Sequence, residues 1–137
     1  MPTKVVVTLK ARPDGNGGID WDDRDCRFVP PGSGRKNGQV LQITADGPAD
    51  ITFDLDDRTG RNLRFPETPR EAIWLQNGSA CPTQPGDADG EFLIRQLGRK
   101  KLTITDTNSQ NGEFGYALNF EGDGGTFHFD PIIKNGL

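Results

Sequence analysis

Four aspartates crowd around one tryptophan near the start of the chain, Asp20, Asp22, Asp23 and Asp25 flanking Trp21. Clustered carboxylates suit Ca²⁺, which takes six to eight oxygens in flexible geometry, and an exposed indole beside them offers a platform for a sugar ring. The segment is therefore the candidate binding site, for a carbohydrate or for a ligand held through calcium. A second acidic run, Asp87-Ala88-Asp89-Gly90-Glu91, has the wrong spacing for a calcium loop: with Gly90 at the sixth position, Pro85 takes the first ligand place and Gln96 the last.

Other chemistry is thinly represented. His128 is the single histidine, and alternation sets it opposite Phe127 and Phe129, towards solvent or a sheet edge. Ser33 and Ser79 lack a base with an orienting partner, so no nucleophilic triad is expected. Gly32-Ser33-Gly34-Arg35-Lys36 lacks the phosphate-loop spacing and reads as a flexible loop. Asp54 and Asp56 share a strand face two residues apart, the one pair from which a carboxylate-based hydrolase could be built. Trp74, between Ile73 and Leu75, reads as core, whereas Trp21, among aspartates, reads as exposed. Asn77-Gly78-Ser79 matches a glycosylation acceptor, but a turn accounts for it.

The elements that must carry these residues are strands. Nine Asn-Gly or Asp-Gly pairs punctuate the 137 residues, and short alternating runs lie between them. Asn, Asp and Gly tolerate the positive φ of tight hairpin turns, so each pair marks a reversal of the chain. Ile51, Phe53 and Leu55 alternate with Asp50, Thr52, Asp54 and Asp56, giving one core face and one wet face. Phe114, Tyr116, Leu118 and Phe120 form the strongest run, a central core strand whose hairpin partner is 126–130 across Gly122 to Gly125. No long 3.6-residue period appears. The expectation is a single all-β domain over 1–137: a two-sheet antiparallel Greek-key sandwich of eight or nine strands with little helix.

The segment from Lys101 to Phe120, ending in Phe129-Asp130-Pro131-Ile132-Ile133-Lys134-Asn135-Gly136, resembles the last strands of bacterial cupredoxin-like and immunoglobulin-like sandwich proteins of unknown function. More distantly, its Asp-Pro ending is similar to the small bacterial DP-EP family. The likeness covers a quarter of the chain and describes a sandwich corner, with Tyr116 as a structural tyrosine just past it. It implies a fold and no chemistry. Blue copper needs two His and one Cys, usually with an axial Met, and the chain has one histidine, His128, and one methionine, the initial Met1.

Bulk composition narrows the partners. A formal charge of −4, from 20 acidic and 16 basic residues, disfavours nucleic acid and anionic membrane. No apolar run approaches a membrane span, and no signal peptide is seen, so the expected compartment is the cytoplasm, or outside it for an exported mature form in which Cys26 and Cys81 are bridged. That bridge would close a loop of about 55 residues, and two unpaired thiols fit as well. No cofactor is implied. The function expected is a non-enzymatic binding module meeting another protein through loops or an edge strand, with the carbohydrate or calcium-dependent site and the carboxylate hydrolase as alternatives.

Overall fold

The computed structural model describes residues 3–136. Its elements run β1 (Thr3–Pro13), β2 (Ile19–Val29), β3 (Gly34–Asn37), β4 (Val40–Ile43), β5 (Ala49–Asp57), α1 (Pro69–Ala72), β6 (Ile73–Asn77), β7 (Phe92–Leu97), β8 (Lys101–Asp106), β9 (Gly112–Gly122), β10 (Gly125–Phe129) and β11 (Ile132–Asn135). Sheet A has the order β2-β1-β5-β8-β7. Sheet B has the order β10-β9-β11-β4-β3, with β6 also paired to β9.

The all-β sandwich stands, with two corrections. Eleven strands are present among the described residues, where eight or nine were expected, because short pieces such as β3, β4 and β6 pair as separate strands. The sheets are mixed, not wholly antiparallel: β1 runs parallel to β5 and β4 runs parallel to β11. Turn chemistry announces hairpins between sequence neighbours; a parallel partner arrives after a long connection and leaves no such mark.

Burial follows the pleat. On β1, Val5, Val7, Leu9 and Ala11 face the core, and on β5 Ala49, Ile51, Phe53 and Leu55 do the same. The exposed large hydrophobics Val6, Val29 and Leu93 all lie on the outward face of sheet A, with Lys4, Asp50, Thr52 and Thr103. Both edge strands of this sheet carry a register shift, β2 opposite Thr8 to Lys10 and β7 at Ile94 to Gln96. Bulges at an edge twist it away from a further strand.

β9 is the central strand of sheet B, as its alternation predicts. Phe114, Tyr116, Leu118 and Phe120 are all buried, and burial pushes the Tyr116 phenol well above its ordinary range. One side of β9 is lined in continuous register by β10 and then β11, the break falling at Pro131, whose carbonyl accepts from Tyr116 N–H at 3.1 Å. Proline has no N–H to give the ladder, so it fits at such a break. The other side holds β6 and, beyond α1, the Arg64–Glu121 bridge. The 78–82 loop lies against β9 at Gly115, where a side-chain carbon would run into the Ala80 carbonyl oxygen.

Candidate functional site

The outward residues of β6, β9 and β10 form the floor of a concavity of about 580 Å³. β6 supplies Trp74, β9 supplies Asn119 and Glu121, and β10 supplies Thr126 and His128. Alternation puts them there: each flanks an inward Ile73, Leu118, Phe120, Phe127 or Phe129. The wall is the segment Pro66, Glu67 and Thr68 with Glu71 of α1, and Arg99 closes one side from the β7–β8 turn.

A chain of hydrogen bonds fixes its one imidazole. Asn119 Nδ2 donates to the Glu71 carbonyl at 2.9 Å, so its Oδ1 faces His128 Nδ1 at 2.6 Å. A carbonyl only accepts, which sets the amide's orientation, and Oδ1 then requires the proton on Nδ1. In the neutral tautomer this leaves Nε2 as the acceptor. The Trp74 ring lies beside the imidazole, centroids 6.4 Å apart and planes inclined by 32°. On the rim, Arg99 lies 3.8 Å from Glu67 and 3.9 Å from Glu121, and Glu121 is also 3.9 Å from Arg64. Among the described residues no basic side chain pairs with the Glu71 carboxylate.

The four aspartates around Trp21 are placed differently from a binding loop. They lie on strand β2, so successive carboxylates leave opposite faces. Asp20 and Asp25 are exposed on the outside of sheet A. Asp22 is gripped by Arg24, whose Nε and Nη2 donate to its two oxygens at 3.0 and 2.9 Å; that guanidinium holds the carboxyl well below the ordinary range. Asp23 turns inward at the bulge, where Lys36 Nζ meets Oδ2 at 2.9 Å. Among the described residues no group of three or more His, Cys, Asp or Glu side chains is gathered as a metal site.

The two tryptophans exchange their expected surroundings. Trp21 packs against the core, stacked on Phe120 with centroids 5.2 Å apart and tilted to Phe129 at 5.7 Å. Trp74, read as core, is half-buried and faces the concavity. Asp54 and Asp56 do share the outward face of β5, but Asp56 is held by Arg58 at 3.1 Å. Asp87 caps a local turn, accepting from Gly90 N–H, and Asp89 accepts from Asn77 Nδ2 at the end of β6. Ser33 is buried, and Gly34, Arg35 and Lys36 belong to β3 instead of a flexible anion loop.

Cys26 and Cys81 are both free, so the bridged alternative is replaced by two thiols of unlike exposure. Cys26 sits half-buried on β2, where burial pushes it up to about 11. Cys81 is exposed, raised less by burial and then by the Asp130 carboxylate. The thiolate is the reactive form. A disulfide-exchange reagent is expected to label Cys81 at least about tenfold faster than Cys26 in the native protein; equal rates, or a 26–81 crosslink in a non-reducing digest, would contradict this arrangement.

Sequence reading missed a second polar cluster, wholly inside. Glu91, Asp106 and Asn135 are buried, and Asn135 Nδ2 donates to Glu91 Oε2 at 3.1 Å and to Asp106 Oδ1 at 2.9 Å. Burial works to raise the Glu91 carboxyl, but hydrogen bonds from Ser109 Oγ, Gln110 N–H, Thr107 Oγ1 and Ser109 N–H outweigh it and hold it below the ordinary range. Asp106 has fewer donors, and burial raises it to about 6 against the pull of Asn135 and Asn108. Its Oδ2 and Asn135 Oδ1 have no partner among the described residues. Asp106 and Asn135 end their strands beside turn residues, so each reads in sequence as ordinary turn chemistry.

Fold and concavity together define a mixed two-sheet β-sandwich with a polar, aromatic-walled depression on one sheet. No protein-family model matches the chain.

Proposed function

We propose that this protein is a non-enzymatic binding module whose binding site is the concavity on the outer face of sheet B. The observation that carries this reading is the joining of a Trp74 and His128 wall to polar groups pre-set by the Glu71–Asn119–His128 chain. Pre-formed concavities with a few fixed polar groups are where small ligands and side chains bind. The bulged edges of sheet A argue against strand addition there.

Ligands selected from displayed peptides and from an immobilised glycan panel test the site. Thr126→Arg, which fills the concavity from an exposed position, is expected to weaken any selected ligand about tenfold or more. Thr103→Arg, on the outer face of sheet A, is expected to leave it unchanged. The reverse pattern would move the binding surface to the other sheet.

One observation favours a catalytic second reading: His128 Nε2 is oriented as a base. Turnover of aryl ester or glycoside substrates, abolished in His128→Ala, would establish it, and no turnover by the native protein would reject it.

A further inference from the structure

The polar atoms that the concavity leaves open to a ligand are mainly acceptors; the N–H of its wall that has no partner among the described residues, Trp74 Nε1, is buried. Glu71 presents a carboxylate with no basic partner among the described residues, and His128 presents a bare Nε2. The strong donor in the lining, Arg99, is shared between Glu67 and Glu121. Three carboxylates, Glu67, Glu71 and Glu121, line this hollow; Arg99 and, from outside the lining, Arg64 answer Glu67 and Glu121 but not Glu71, and the aromatic wall is Trp74. A sugar needs donors as well as acceptors around its hydroxyls, and an anion needs free cationic or N–H donors. An inventory of acceptors, negative charge and an indole face matches a cation rich in donors.

We infer that the concavity takes a guanidinium group, the arginine side chain of a partner peptide, laid on Trp74 with its N–H groups on Glu71 and His128 Nε2. The inference rests on reading the concavity as the binding site. Arginine suits it better than lysine: the planar fork stacks on an indole and donates in two directions at once, whereas an ammonium is a compact, strongly hydrated point charge. Thr68 and Thr126 hydroxyls on the lining, which donate or accept as the ligand requires, can accept from it as well.

The test is an NMR titration of the whole chain with N-acetyl-L-arginine amide, beside N-acetyl-L-lysine amide, methyl β-glucoside and sodium sulfate. Expected are saturable shifts at the Trp74 indole, His128 and Thr126, with an affinity on the order of millimolar for the arginine probe and weaker binding of the lysine probe. Added salt weakens it. Glu71→Gln, at an exposed carboxylate outside the core, is expected to keep the spectrum of the folded protein and lose about tenfold in affinity. Glucoside or sulfate shifting the same residues while the arginine probe does not would overturn the guanidinium assignment and leave the concavity as a site. Arginine binding that Glu71→Gln does not weaken would overturn the assignment too. If none of the four probes moves these residues, both the assignment and the concavity reading fail.

Discussion

Asp106→Asn is expected to stabilise this protein at neutral pH, by on the order of 2–3 kcal/mol, and to flatten its stability between about pH 4 and 7. The folded-state pKa of Asp106 lies above its unfolded value, about 6 against 3.8, with burial as the main cause and the Glu91 charge adding to it. A group raised in this way stabilises fully below the unfolded pKa and loses that contribution as pH rises through the folded one. At pH 7 the protein therefore holds an ionised carboxylate where only Asn135 Nδ2 and the Asn108 N–H face it, beside ionised Glu91. An amide keeps both those bonds on its oxygen and replaces Oδ2, which has no partner among the described residues, with a neutral NH₂ group. Urea unfolding of both proteins across this pH range decides it. A wild-type midpoint that does not fall as pH rises from 4.5 to 7.5, or an Asn variant less stable at pH 7.5, would show that the fold does not penalise the Asp106 charge.

Glu91 bounds the opposite flank. Its pKa is lowered by the Ser109, Gln110 and Thr107 donors, so its contribution is present above the unfolded value and is lost as pH falls through the folded one. The two buried carboxylates thus pull stability in opposite directions along the pH axis. One amide, Asn135, bridges an acid that stays charged and an acid that takes the proton.

The strands were legible because burial enforces a period of two, which β5 and β10 show in their burial; β9 shows it in its sequence, although Phe114 to Phe120 are all buried because both of its faces are covered. β2 shows where the same reasoning gives way. Ile19 and Trp21 point inward, then the bulge sets Asp23 and Arg24 together opposite Leu9, and Cys26 and Phe28 point inward after it. The inward phase changes from odd to even at the bulge. A segment without a single phase reads as an irregular acidic loop, and its tryptophan is then read as sharing the exposure of its aspartates. The concavity was half legible. His128 and Asn119 are outward positions of strands that the alternation shows, but Trp74 read as core, and the meeting of the three depends on β6 pairing with β9 and on α1 walling the floor, which are non-local facts. The parallel β1–β5 and β4–β11 pairs were illegible for the same reason.

Trp21→Ala is expected to cost about 3 kcal/mol of stability and to leave ligand binding at the concavity unaltered. The residue opposes Ala11 across the β1–β2 pair, and Ala11 is buried, so the indole faces the core at the open edge of sheet A. There it covers Phe120 and Phe129, two rings that sit behind the floor of the concavity. Phe120 in turn packs on Phe65 at 4.7 Å, so the indole is the outer member of an aromatic stack that reaches the segment leading into α1. Truncation removes the stacking contacts and opens a gap that small neighbours such as Ala11 cannot fill. The cost falls at the lower end of the usual range for large aromatics because the ring is only half-buried. Trp74→Ala is the matched comparison: its ring faces the concavity, so binding should fall more than stability. Thermal unfolding and arginine-probe titration of the two variants separate the roles. A Trp21→Ala protein as stable as the parent but unable to bind would return the site to the Asp20–Asp25 segment and take it away from sheet B.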